Sequence, residues 1–189
     1  MLARRRRPGF TMVETVIVLI ILGVIAAIGL PKLNVFKYKG DAAAIELRTL
    51  LMQAQRDAIV YQHDLIVMVD ASRNRVIIGF DKNNDNVITS AERVRIRALP
   101  DNDRFSAPPQ TLNTPGLSGS NGILSDNFQI ISGYPSVIFR RDGTVSANLE
   151  LYTTTKRGDP KDFRATRVLP ATGRTEYFRF NGSAWGSAQ

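Results

Sequence analysis

The sequence predicts an α+β protein, a long amino-terminal helix followed by an antiparallel β-rich head, and three features predict it. Residues 10–30 form an almost unbroken apolar run, residues 31–62 space their apolar positions helically, and from residue 63 onward the spacing changes to alternation. The implied organisation is residues 1–9 as a basic leader, 10–30 as a membrane-crossing half of the helix, 31–62 as its amphipathic half and 63–189 as the head.

At 1.5 Å per residue the apolar run spans about 31 Å, enough to cross a hydrocarbon core. Arg4, Arg5, Arg6 and Arg7 precede it. Such a flank stays cytoplasmic and sends the chain beyond residue 30 outward. Inside the run stands one carboxylate, Glu14. A charge at the bilayer centre costs roughly 2.5–3.5 kcal/mol, so an intramembrane Glu calls for a cationic partner and a function. A secretory signal peptide shares the basic and apolar regions but needs a small-residue cleavage site with polar sequence after it, and Gly29-Leu30-Pro31-Lys32 serves that poorly.

Beyond Pro31 the pattern turns amphipathic. Leu47, Leu50, Leu51, Ala54 and Ala58 share one helical face, while Glu46, Gln53, Arg56 and Asp57 fall largely elsewhere, so that face must pack against something. Gly29-Leu30-Pro31 and Gly40-Asp41 are the expected weak points of the helix. The single histidine, His63, falls at its expected end, where a cation-capable side chain suits the terminal carbonyls.

In the head, strands are expected at 65–69, 75–80, 94–99, 128–131, 136–140, 144–152, 166–169 and 175–180. Asp142-Gly143 signals a hairpin and Thr172-Gly173 a further turn. Segment 100–127, crowded with Pro, Gly, Ser and Asn, is expected to be a long loop. There are no cysteines, so the head is held by packing alone.

Two constellations in the head bear on chemistry. Asp81, Asn83, Asp85, Val87, Thr89 and Glu92 have the ligand spacing of a calcium-binding EF-hand loop, with Val87 offering its carbonyl; Asn86 stands at the turn-glycine position, and the flanks read as strands rather than helices. The string therefore reads either as a calcium site, the one cofactor the sequence suggests, or as a polar hairpin turn. Arg93, Arg95 and Arg97 alternate with Val94, Ile96 and Ala98, a basic stripe that Arg140, Arg141, Arg164, Arg167, Arg174 and Arg179 could extend. It reads either as a track for a nucleic-acid backbone or as a solvated strand face. Bulk charge does not favour the track, since removing Arg4 to Arg7 lowers the formal charge from +8 to +4. No nucleophile, base and orienting group can be named together, so no catalytic residues and no enzyme activity are expected.

The string Arg4-Arg5-Arg6-Arg7-Pro8-Gly9-Phe10-Thr11-Met12-Val13-Glu14 resembles the leader junction of type IV pilins and pseudopilins. The resemblance implies that a prepilin peptidase cuts after Gly9, that the new amino-terminal Phe10 is methylated, and that Glu14 attracts the free amine of Phe10 on a neighbouring subunit. It also implies a single-pass inner-membrane protein, amino terminus cytoplasmic and head periplasmic, handed by an assembly platform to a filament of other pilins or pseudopilins. The order of elements, with Pro135-Ser136-Val137-Ile138-Phe139-Arg140-Arg141-Asp142-Gly143-Thr144 and Arg167-Val168-Leu169-Pro170-Ala171-Thr172-Gly173-Arg174, is similar to the GspH/FimT type of minor pseudopilin. Such proteins are low-copy subunits near the tip of a type IV pilus or type II secretion pseudopilus. Some FimT-like proteins take up DNA through a late Gly-Arg-x-Arg motif. Here Gly173-Arg174-Thr175-Glu176 places an acid at its last position, so a DNA-binding minor pilin in natural transformation stands as the alternative.

Overall fold

The computed structural model describes residues 9, 11–29 and 35–187. The leader arginines Arg4 to Arg7, Phe10 and Pro31 lie outside the described residues. The chain divides into two compact units, Met1–Val35 and Phe36–Gln189.

In the first unit, helix α1 (Met12–Gly29) begins where Thr11 Oγ1 accepts the Glu14 N–H at 3.2 Å, a Ser/Thr-x-x-Glu capping arrangement. Apolar side chains project on every side, with Val16, Leu19, Ile20 and Ile25 all exposed. Its eighteen described residues rise about 27 Å. Among the described residues no helix is long and apolar enough to cross a membrane.

All but the first residue of α2 (Val35–Tyr61) belongs to the second unit. The end of α2 is closed by Gln62, which adopts a left-handed φ of 56° and donates from Nε2 to the Ile59 carbonyl at 2.7 Å. The capping role expected of His63 therefore belongs to Gln62, and His63 Nδ1 is buried without a hydrogen bond. The helix runs unbroken through Gly40-Asp41, contrary to expectation. Gly40 is there because the helix passes close to the head: a Cβ on it would sit 3.3 Å from the Asp162 carbonyl oxygen.

Strands follow as β1 (Asp64–Asp70), β2 (Arg75–Asp81), β3 (Val94–Ala98), β4 (Arg104–Phe105), β5 (Ser118–Ser120), β6 (Ile123–Ser125), β7 (Gln129–Ile131), β8 (Tyr134–Phe139), β9 (Leu149–Thr154), β10 (Arg164–Val168), β11 (Thr175–Phe180) and β12 (Trp185–Ser187). They form two antiparallel sheets. The first has the order β3-β2-β1-β8-β7, the second β12-β11-β10-β9-β6-β5 with β4 also paired to β9. Alternation explains the packing of the first sheet. Leu65, Val67, Val69, Val76, Ile78 and Phe80 face the main core, while Ile66, Met68, Ile77 and Ile138 form a smaller cluster on the outer face. Leu47, Leu50, Leu51, Ala54 and Ala58 of α2 enter that main core beside Leu149, Leu151 and Val168 of the second sheet.

Two expectations are corrected. Asp142-Gly143 does form a turn, with Arg140 N–H donating to the Thr144 carbonyl at 2.8 Å, but pairing continues only to Phe139 opposite Val145. The chain then crosses to the second sheet, where Asn148 is held by the Asp126 carboxylate, so the expected strand at 144–152 starts only at Leu149. Segment 100–127 is not a bare loop, for it contains β4, β5 and β6. These are only two or three residues long, and β5 is Ser-Gly-Ser, which left no periodicity to detect.

The start of α2 is tied to the second sheet by charge. Asp41, 7 % exposed, accepts from Arg164 Nε at 2.6 Å, Tyr177 Oη at 2.7 Å and Arg179 Nε at 2.8 Å. Burial alone would raise its pKa, but the bonds from Arg179, Tyr177 and Arg164 outweigh it and hold the carboxyl below the ordinary range. Asp41→Ala would strand two guanidiniums, and it is expected to lower head stability by about 3–5 kcal/mol in chemical denaturation of the full chain.

Asp103 is the opposite case. It is buried, its Oδ2 has no hydrogen-bond partner, and burial, with repulsion from Asp101 and Asp162, pushes its pKa up to about 6. A carboxyl whose folded pKa exceeds its unfolded value keeps its proton longer in the native state. Its stabilising contribution is therefore full below about pH 4 and lost as pH rises through about 6. Asp103→Asn is expected to raise stability by up to about 2–3 kcal/mol at pH 7.5 and to leave it nearly unchanged at pH 4, read from melts at both values.

Candidate assembly motif and head surfaces

Gly9 is exposed and lies outside the helix, before the Thr11 cap. Glu14 occupies the third helical position, where a carboxylate favours the positive end of the helix dipole. That local role accounts for an acid there, but not for one in an otherwise apolar helix. Among the described residues the Glu14 carboxylate has no hydrogen-bond or ion-pair partner, so nothing in the described chain offsets its cost of burial in an apolar medium. Phe10, its expected counterpart, lies outside the described residues.

The loop from Asp81 to Glu92 joins β2 to β3, both strands, as its flanks suggest. Asp81 is fully buried and accepts the N–H groups of Asp85 at 3.2 Å and Asn86 at 2.7 Å. Asp85 accepts from Val87 N at 2.9 Å and Asn83 Nδ2 at 2.7 Å. Glu92 accepts from Lys82 N at 2.9 Å and Thr89 N at 2.8 Å, bonds that hold its carboxyl below the ordinary range. Asn86 takes φ 63°, the left-handed conformation that a turn needs and Asn tolerates. The side chains thus turn onto the loop's own amides. Among the described residues no group of three or more His, Cys, Asp or Glu gathers to hold a metal ion, and the calcium reading gains no support from this geometry. Asp81→Ala is expected to cost about 1–3 kcal/mol by leaving two amides unsatisfied. Melting curves with and without millimolar calcium should show that cost in both, with the wild type unmoved by the ion.

Arg95 and Arg97 are on β3, one edge of the first sheet, and Arg93 immediately precedes it. Arg95 is bound to Asp57 of α2 at 3.4 Å, and the Arg93 and Arg95 guanidiniums lie 5.4 and 5.5 Å from the Phe80 ring centroid. Arg97 lines a separate cavity with Glu46 and Gln53. Arg174 is elsewhere, in the turn between β10 and β11, with Nε 3.5 Å from Glu176. The structure therefore does not bring Arg174 to the stripe. Of the expected extension, Arg164 and Arg179 are committed to Asp41 and Arg167 to Glu176.

Three organising residues carried no function in the sequence. Asp41 is one. Gln55 is another: its Nε2 donates to the Gly143 carbonyl at 2.8 Å and the Thr172 carbonyl at 2.7 Å, clamping α2 onto two turns. Gly173, at φ 62°, leaves room for that amide, which a Cβ would overlap. Trp185 is the third. Its ring packs at a tilt against Phe180 and Tyr152, centroids 5.0 and 5.5 Å away, and its Nε1 donates to the Gln110 carbonyl at 2.8 Å, pinning the loop before β5. Asp41 and Gln55 lie on the flank of α2 rather than within its apolar stripe, so helical spacing alone carried no signal for them.

Comparison with known proteins bears on the amino terminus. Residues 4–30 match the family described as the prokaryotic N-terminal methylation motif. The resemblance to type IV pilins and pseudopilins is thereby shown at the level of that motif. None of the curated proteins matches the chain. Among solved structures, the minor pseudopilin EpsH from the Type 2 Secretion System of Vibrio cholerae is similar over 75 % of this chain and 97 % of its own, at 14 % identity and a TM-score of 0.45.

Proposed function

We propose that this chain is a minor pilin-like subunit, cut after Gly9, methylated on Phe10, anchored in the inner membrane by its amino-terminal helix, and assembled into a type IV pilus or a type II secretion pseudopilus. The observation that carries the reading is Glu14. It lies within the methylation motif, in a helix apolar on every side, and has no partner among the described residues. A neighbouring subunit's amino-terminal amine is a cation of the right kind, and pairing the two removes two desolvation costs together. Phe10 and Glu14 would then set the stagger between subunits, leaving the head to choose neighbours. Other pilins, the prepilin peptidase and an inner-membrane assembly platform are the partners this requires.

The nucleic-acid reading receives less support. Arg95 and Arg174 each have a carboxylate beside them, and the stripe and the late motif do not form one surface. The test is assembly in cells that make the full chain. Mass spectrometry of filament-associated protein should find a chain starting at N-methylated Phe10. Glu14→Ala should insert into the membrane normally yet enter filaments on the order of a hundredfold less or worse, because a buried amine left without its carboxylate costs about 3–5 kcal/mol. A start at Met1 or beyond residue 30, or normal incorporation of the variant, would overturn the proposal.

A further inference from the structure

Along the flank of α2 that faces the second sheet, Asp41, Arg48 and Gln55 recur every seven residues. Their side chains leave the same side of the helix, about 10 Å apart along its axis. The outer two are satisfied, Asp41 by Arg164, Arg179 and Tyr177, and Gln55 by the carbonyls of Gly143 and Thr172. The middle one is not. Arg48 is half-buried, its Nε is buried without a hydrogen-bond partner, and among the described residues it makes no ion pair. A guanidinium stays charged at every pH a protein meets, and burying even its Nε–H without an acceptor is costly. The head therefore holds a cation with no anion of its own.

Arg48 opens onto a cavity of about 360 Å³ between α2 and the β10–β11 hairpin, lined also by Arg167, Arg174, Glu176 and Tyr177. Three arginines face one carboxylate there. Arg167 takes most of it, bonding Glu176 Oε2 from Nη2 at 2.7 Å and from Nε at 3.3 Å while lying 4.9 Å over the Phe178 ring. Arg174 reaches Glu176 only at 3.5 Å and is 72 % exposed at the mouth. Arg48 and Arg174 thus keep donors to offer, and a guanidinium fork matches a carboxylate.

We infer that this groove binds the carboxylate of an acidic side chain from a protein partner, held by Arg48 in the groove and Arg174 at its mouth. The inference stands apart from the assembly reading, since it rests only on the head. The observations favour a carboxylate over a nucleic-acid strand. The unbonded Arg48 Nε is buried within the groove, where a carboxylate on a flexible side chain can reach it and a phosphate fixed in a strand's backbone cannot follow. Arg93, Arg95 and Arg97, which such a strand would also need, line no part of this groove.

The test uses the full chain in detergent micelles at low salt, with three probes: an acetylated tetraglutamate peptide, an octathymidylate and inorganic phosphate. The peptide should bind and raise the melting temperature. Arg48→Gln should weaken its binding about tenfold, the scale of one charge-assisted fork, and Arg48→Lys should recover only part of it. Without ligand, Arg48→Gln should melt at or above the wild-type temperature, because it removes an unpaired charge. Peptide binding indifferent to Arg48→Gln, no peptide binding, or a clear fall in the unliganded melting temperature would each overturn the inference. Tighter binding of the octathymidylate would overturn it in favour of nucleic acid, and phosphate binding as tightly as the peptide would overturn it in favour of a simple anion site.

Discussion

The buried face of α2 is the constraint on which the head depends. Leu47, Leu51, Ala54 and Ala58 are almost completely removed from water, and they meet residues from both sheets in one core. Each sheet is built from strands of two to seven residues, too short to stand alone, and the helix gives both an apolar surface to share. Ala43, Ala44, Ala54 and Ala58 keep the helix close to that surface. With no disulfide in the chain, this packing is the principal source of stability.

Polar groups then fix where the helix sits. Hydrophobic burial has no direction, so it would tolerate sliding and rotation of α2 over the core. Asp41 at one end and Gln55 two heptads later make directional bonds to the second sheet, while Asp57 reaches Arg95 on the first. The same arrangement changes the meaning of the positive charge. Arg164 and Arg179 serve Asp41, Arg167 serves Glu176, Arg75 serves Asp70, and Arg157 serves Asp162, so much of the formal charge is spent on internal pairs. A basic sequence composition here describes the scaffold more than the surface field.

The strongly periodic parts of the fold were legible. β1, β2, β3, β8, β10 and β11 fall where alternation predicts them, and the apolar stripe of α2 is the stripe that packs. What escaped were elements with no period, namely the short strands β4, β5, β6 and β12, and the crossing of the chain between sheets after Gly143. A turn signal reports local backbone geometry and does not say which sheet the next strand joins. The calcium string shows the same limit, because oxygen ligands at the right intervals also suit a loop that bonds its own amides.

By itself the sequence determined the methylation motif, the place of Glu14 within an apolar helix, and the division into an amino-terminal helix and a β-rich head. Those features are contiguous in the chain and depend on local spacing and hydropathy. Only the tertiary structure decided which of the described arginines are spent on internal carboxylates and which, Arg48 among them, are not. Asp41 lies more than a hundred residues from Arg164 and Arg179, and Arg48 lies as far from Arg167 and Arg174. Pairing between charges so distant in sequence is set by how the helix docks, so whether a given cation is neutralised or open to a partner becomes readable only after folding.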